Sequence, residues 1–252
     1  MTQRDELIIE KALNLIENAN KKGLYLRVLG AVAFRLHCPK FGHLLGKTRA
    51  ITDIDLVAYN KQVGQIEKHL LENGYEMRVP SIASVAARRR IFYDKQNGFS
   101  VDIFLDRLEM CHDINFKRRL ELDYPTIPLA EMLLEKLQIV QINEKDVKDV
   151  IILLREHEIG DRDEETINAK YIAKLLGDDW GFYYTATTNL NKIKNLLDHY
   201  GELVENDKKL IEGRINRLLN AIEEKPKSLG WKMRAKIGTK KQWYRKVEEI
   251  QH

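Results

Sequence analysis

Cysteine is almost missing from this chain of 252 residues: Cys38 and Cys111 are the two present. Two thiols cannot build a disulfide framework, and they fit a reducing cytoplasm. No apolar run approaches the roughly 20 residues that a membrane-spanning helix requires, so a soluble protein with no membrane partner is expected. The opening MTQRDELIIEKALNLIE lacks a basic segment followed by an apolar stretch and a cleavage site. It reads as an amphipathic charged helix, and a cytoplasmic location follows as the expectation. Internal repeats and low-complexity segments are lacking too. Overall charge is close to balanced, at +4, but its distribution is not.

The hydrophobic fraction is 44%, ordinary for a folded protein, and the length suits one large domain or two modest ones. The first half alternates helix and strand signals. Residues 3–20 predict a helix, Leu24 to Leu29 a strand ending at Gly30, and Ala31 to His37 a short helix. A loop rich in Gly and Lys runs from Pro39 to Arg49, and TDIDLVAY, Thr52 to Tyr59, reads as a strand. Gln62 to Asn73 is a helix closed by Gly74. RRRIFYDKQNGFSVDIFLD then offers two strands joined by Asn97-Gly98, a strong hairpin signal. After Pro128 the pattern turns helical, at 128–142, 144–157, 165–176, 182–199 and 203–223. An α+β class is expected: a mixed β-sheet with flanking helices over 1–124, a helical domain over 125–224, and a basic aromatic segment over 225–252.

Asp53 and Asp55 lie two positions apart in a strand, so they share a face about 7 Å apart. Asp102 sits mid-strand in the hairpin. If the two strands are neighbours, three carboxylates meet, and a hard cation such as Mg²⁺ is the usual remedy for their repulsion. The plainer alternative has Asp53 capping a loop and Asp102 facing solvent on an edge strand. Upstream, LRVLGAVAFRLHCP places a strand, a glycine and a short helix whose N-terminus offers free N–H groups to a phosphate. A glycine turn before a helix, then D-x-D, then a separate strand aspartate resembles the nucleotidyltransferase fold of the DNA polymerase beta superfamily. The resemblance implies two Mg²⁺ ions bridging a nucleoside triphosphate. It implies that Asp53, Asp55 and Asp102 bind metal, that Asp102 also helps deprotonate the attacking hydroxyl, and that Gly30 and Ala31 meet phosphate. The family's turn usually has Gly or Ser where this chain has Ala31, so a hydroxyl contact is absent.

In PLAEMLLEKLQIVQINEKDVKDVIILL, Lys136 lies inside a stripe formed by Leu129, Met132, Leu133 and Val140. It is read either as a snorkelling side chain or as an ammonium held against a triphosphate. Asp146 and Asp149 follow at i, i+3; the first also suits a helix start, which favours Asp149 as the one that faces the site. Lys136 followed by Lys145, Asp146, Asp149 and Leu153 resembles the AbiEii-type nucleotidyltransferases of abortive-infection and type IV toxin-antitoxin systems. That implies catalytic roles for Lys136 and Asp149, nucleotide contacts from Lys136 and Asp146, and an antitoxin protein as partner.

From Lys225 to Lys246, nine Lys or Arg occur with no acid and with Trp231, Trp243 and Tyr244 among them. Lys232, Arg234, Lys236, Lys240, Lys241, Trp243 and Arg245 are the candidates for nucleic-acid contact. The alternative is a segment whose aromatics dock on the body. His37-Cys38 and Cys111-His112 could in principle make a zinc site, but adjacent residues rarely both ligate one ion, and His112 alternatively lies on a polar rim. Arg88 and Arg90 share a strand face and either blunt a sheet edge, the favoured reading, or widen a phosphate-binding surface. The function expected is Mg²⁺-dependent transfer of a nucleoside monophosphate to a hydroxyl acceptor, an RNA such as a tRNA 3′ end. The alternatives are a small antibiotic-type acceptor, or a nucleotide- or nucleic-acid-binding module without turnover.

Overall fold

The computed structural model describes residues 2–41, 50–80 and 88–247. The Gly- and Lys-rich loop expected before Thr52 lies, from residue 42 to 49, outside the described residues. The fold is α+β, and the chain divides into two compact units. One comprises Met1–Pro39, Gly46–Leu108 and Ile114–Pro128, the other Lys40–Leu45, Glu109–Asp113 and Leu129–His252.

The first unit is built on five strands: β1 (Leu26–Leu29), β2 (Asp53–Ala58), β3 (Glu76–Met77), β4 (Arg89–Asp94) and β5 (Phe99–Leu105). Their spatial order is β1-β2-β5-β4-β3, with β2 parallel to β5 and the other pairs antiparallel. The β4–β5 hairpin turns at Gly98, with φ +68°, and Asp94 accepts hydrogen bonds from the backbone N–H and side-chain amide of Asn97. Alternation divides the sheet cleanly. Leu26, Val28, Ile54, Leu56, Val101 and Ile103 share one face, and each is fully buried. Helices α1 (Gln3–Lys21) and α3 (Val63–Glu72) accompany this unit, α1 packing on β1 and β2. The start of α1 is fixed by a capping box between Thr2 and Asp5, and Asp5 also accepts from the N–H of Ile51 at 2.8 Å, tying the helix to the approach of β2. The opposite face carries Asp53, Asp55, Ser100 and Asp102. Helix α2 (Gly30–His37) runs from the end of β1.

Residues 125–127 belong to the same sheet edge: Val28 donates to the Pro125 carbonyl and accepts from Ile127. Arg88, expected inside the strand, precedes it with φ 51° and reaches Asp106. Arg90 pairs with Glu67 of α3 at 2.6 Å. β3 pairs with β4 at Phe92 and Tyr93, beyond the arginines, and what engages Arg88 and Arg90 is their carboxylate partners.

The second unit is helical: α4 (Leu129–Leu137), α5 (Glu144–Glu156), α6 (Ala169–Asp178), α7 (Trp180–Leu196), α8 (Glu205–Glu224) and α9 (Leu229–Ile237). Helix α4 packs against α5, α6 and α7, which explains why all of its residues are buried, Glu131, Glu135 and Lys136 included. It ends earlier than expected because tertiary partners take over its terminal carbonyls. The Asn189 amide donates to the carbonyls of Leu137 and Ile139, so the backbone is satisfied without a further turn. Arg214 does the same for Leu154 and Arg155 at the end of α5. Among the described residues no helix is long and apolar enough to cross a membrane.

Candidate active site

In the parallel β2–β5 pair, Asp55 stands opposite Asp102 and Asp53 opposite Ser100. Side chains in register on adjacent strands share a face, so all three aspartates project to the same side. Asp53 and Asp55 are half-buried. Asp102 is 2% exposed and lies on the middle strand of the five, so the edge-strand alternative fails. A carboxylate in that position is costly unless paired. Its Oδ2 is bonded to the guanidinium of Arg89, while its Oδ1 is buried without a hydrogen-bond partner among the described residues. Arg89 lies over the ring of Phe104, 5.5 Å from its centroid. Sequence reasoning missed Arg89, although the signal was present. If Arg90 faces α3, alternation turns Arg89 to the opposite side of the sheet, where Asp102 is.

Gly30 begins α2 with φ +66°, and a Cβ placed on it would stand 2.5 Å from Asp55 Oδ2. Only glycine therefore satisfies both the backbone and the close approach of the carboxylate. Ala31 is not among the positive-φ residues, so an alanine there carries no backbone strain. The N-cap residue of α2, Leu29, makes no side-chain capping bond. Three carboxylates with an orphaned oxygen among them are donors suited to a hard cation. As arranged, no group of three His, Cys, Asp or Glu side chains among the described residues is gathered closely enough to hold a metal. Arg89 is the cation that now meets Asp102.

In the helical unit, Lys136 neither snorkels nor stands bare. It is 8% exposed, with Nζ 3.2 Å from Asp146 Oδ1 and 3.1 Å from Asp149 Oδ2. Glu135 Oε1 lies further off at 3.9 Å. Both aspartates thus face the lysine. The capping role that would have set Asp146 apart belongs to Asn143, whose side chain accepts from the Asp146 N–H at 3.1 Å.

The basic segment is docked on its own unit. Trp231 meets Tyr183 edge-on at 5.1 Å, and Arg234 stacks over Trp180 at 4.7 Å. Trp243 donates from Nε1 to Thr185 Oγ1 at 3.0 Å and meets Tyr184 at 5.2 Å. Arg245 pairs with Asp113. Lys232, Lys236, Lys240 and Lys241 remain exposed. His112 is buried rather than on a rim. It stacks on Phe182 with ring centroids 4.9 Å apart, shares a hydrogen bond with Thr185, and burial drives its pKa down to about 4. His37 is engaged by Thr126 at 2.5 Å, and among the described residues no cysteine–histidine cluster forms.

No protein-family model matches the chain, and no curated protein matches it in sequence. Among solved structures it is similar to the antibiotic-resistance factor ANT(2'')-Ia, whose conformation dynamics are substrate-regulated. The identity is 12%, the match covers 87% of this chain and 97% of the other, and the TM-score is 0.38. A likeness that loose carries neither fold nor function.

Proposed function

We propose that this chain is a nucleotidyltransferase that moves a nucleoside monophosphate from a nucleoside triphosphate to a hydroxyl acceptor. The observation that supports this most is the register of β2 and β5, with Asp55 opposite Asp102, Asp53 on the same face and Gly30 against Asp55. Asp53, Asp55 and Asp102 would hold two Mg²⁺ ions, which supply neutralisation of the triphosphate and activation of the attacking oxygen. The N–H groups of Gly30 and Ala31 at the start of α2 are assigned to phosphate oxygens. Asp102 receives the proton of the attacking hydroxyl as its oxygen bonds to the α-phosphorus. The bond to the bridging oxygen breaks, and its electron pair leaves with pyrophosphate. Oδ1 of Asp102 is the oxygen ready for that proton, because Arg89 holds the other. In the helical unit, Asp146 and Asp149 fix the ammonium of Lys136, the arrangement that the AbiEii-type resemblance assigns to nucleotide contact.

For the acceptor, RNA was the expectation from the basic segment. Packing of Trp231 and Trp243 on Tyr183 and Tyr184 leaves lysines without a stacking platform, which favours a small hydroxylated acceptor as the alternative. Incubation with α-labelled triphosphates and Mg²⁺, with and without bulk RNA, tests both. Label in RNA, or in a new small product, supports transfer and assigns the acceptor class. Label that stays in the triphosphate with every base and both acceptor types contradicts the enzyme reading and leaves a binding module.

A further inference from the structure

Asp102 stands on β5 between β2 and β4, with Asp55 across from it on β2. On the β4 side, Arg89 is opposite Phe104 in the register, so it shares the face of Asp102 and reaches it diagonally. The contact between them is half of the one available. Arginine and carboxylate often meet as a fork with two parallel N–H···O bonds, but here a single Nη2–H donates to Oδ2. Nε of Arg89 and Oδ1 of Asp102 are both buried without a hydrogen-bond partner among the described residues. A pair kept for stability alone should be completed, since a buried donor and a buried acceptor left unsatisfied each cost free energy. The partners also differ in enclosure: the Asp102 side chain is 3% exposed and that of Arg89 17%. Arg89 is therefore the one with a way out, and the ring of Phe104 beneath its guanidinium supports it without any carboxylate.

We propose that Arg89 is an exchangeable counter-ion: it neutralises Asp102 while no metal is bound, and a divalent cation entering the aspartate face displaces it. The inference rests on the reading of Asp53, Asp55 and Asp102 as a metal site, and adds the residue that sets how readily the cation enters. A guanidinium and a divalent cation at contact range repel each other strongly enough to change affinity by more than about tenfold, even when partly screened. The register already sets Asp55 across from Asp102. Exchange therefore asks for rotation of side chains and no movement of the sheet. The resident arginine thus holds the metal-free site neutral and keeps its affinity for a cation down.

The test is Mn²⁺ binding to the full chain without nucleotide, read from the free-ion signal in electron paramagnetic resonance. Arg89→Met keeps an unbranched stem on Phe104 and removes the charge, and it should bind Mn²⁺ at least about tenfold more tightly than the wild type. Arg89→Lys keeps the charge and should stay near the wild-type affinity. Adding Asp102→Asn to Arg89→Met should abolish the gain, because the carboxylate being exchanged is gone. Without metal, Arg89→Met should melt below the wild type, since Asp102 is left buried without a counter-charge, and Mn²⁺ should restore it. Should that variant be unfolded without metal, Mn²⁺ should bring back its native circular dichroism, and failure to do so overturns the proposal. Equal or weaker binding to Arg89→Met, the same gain in Arg89→Lys, or a gain that survives Asp102→Asn also overturns it, and leaves Arg89 as a structural partner. Absence of Mn²⁺ binding in every variant contradicts the metal reading itself, and the exchange with it.

Discussion

Lys136 is a cation whose whole environment is protein: two aspartates at 3.2 and 3.1 Å and a helix buried on every side. Removing one partner of a buried ionic cluster leaves the others uncompensated, a loss of roughly 3–5 kcal/mol. Lys136→Met should therefore lower denaturant stability by about that amount, and adding Asp149→Asn should recover part of it. A stable Lys136→Met would mean that the aspartates are solvated after all. His112 provides the pH signature. Burial lowers its pKa from 6.5 to about 4, so between those values the unfolded chain binds the proton that the folded chain refuses. The stabilisation is complete above about 6.5 and is lost as pH falls towards 4, in total roughly 3 kcal/mol. His112→Gln should flatten the stability profile in that window. An unchanged slope would assign the acid sensitivity to other groups.

At the scale of elements, the start of α2 and strand β2 depend on each other through Gly30 and Asp55. Gly30→Ala should destabilise by about 1–3 kcal/mol, because of its positive φ and the Cβ contact with Asp55 Oδ2. In an Asp55→Ala background the contact part of that loss should shrink, leaving only the Asp55 Cβ at 3.3 Å, while the backbone part stays. Equal losses in both backgrounds would show that the close approach is of no consequence. These elements were legible in sequence because their signals are local: alternation in TDIDLVAY, a glycine before a helix, Asn97-Gly98 in a hairpin. Long-range pairing was not. The neighbour relation of β2 and β5, which brings Asp55 beside Asp102, is a crossover that no local pattern encodes. The enclosure of Lys136 likewise depends on α5 and α6 and α7 packing around α4, whereas periodicity described α4 alone. In the basic segment, composition gave charge and aromatics but not the tyrosines on which the rings pack.

At the scale of the whole molecule, the described residues of a sheet-based unit and a helical unit include two charged groups on which the functional reading turns. One is the aspartate face of the sheet, the other the lysine–aspartate cluster of the helical unit. The central claim is that the first of these is a metal and triphosphate site. The direct test is melting of the wild type and Asp55→Asn, each with Mg²⁺ plus a nucleoside triphosphate, and each with EDTA. A ligand present at about 100 times its Kd stabilises the native state by roughly 2.7 kcal/mol, on the order of 5–10 °C for a chain of this size. The wild type should rise by that order with Mg²⁺ and triphosphate and lose the gain in EDTA. Asp55→Asn should melt within a few degrees of the metal-free wild type and show no gain. The same rise in both proteins would contradict the claim.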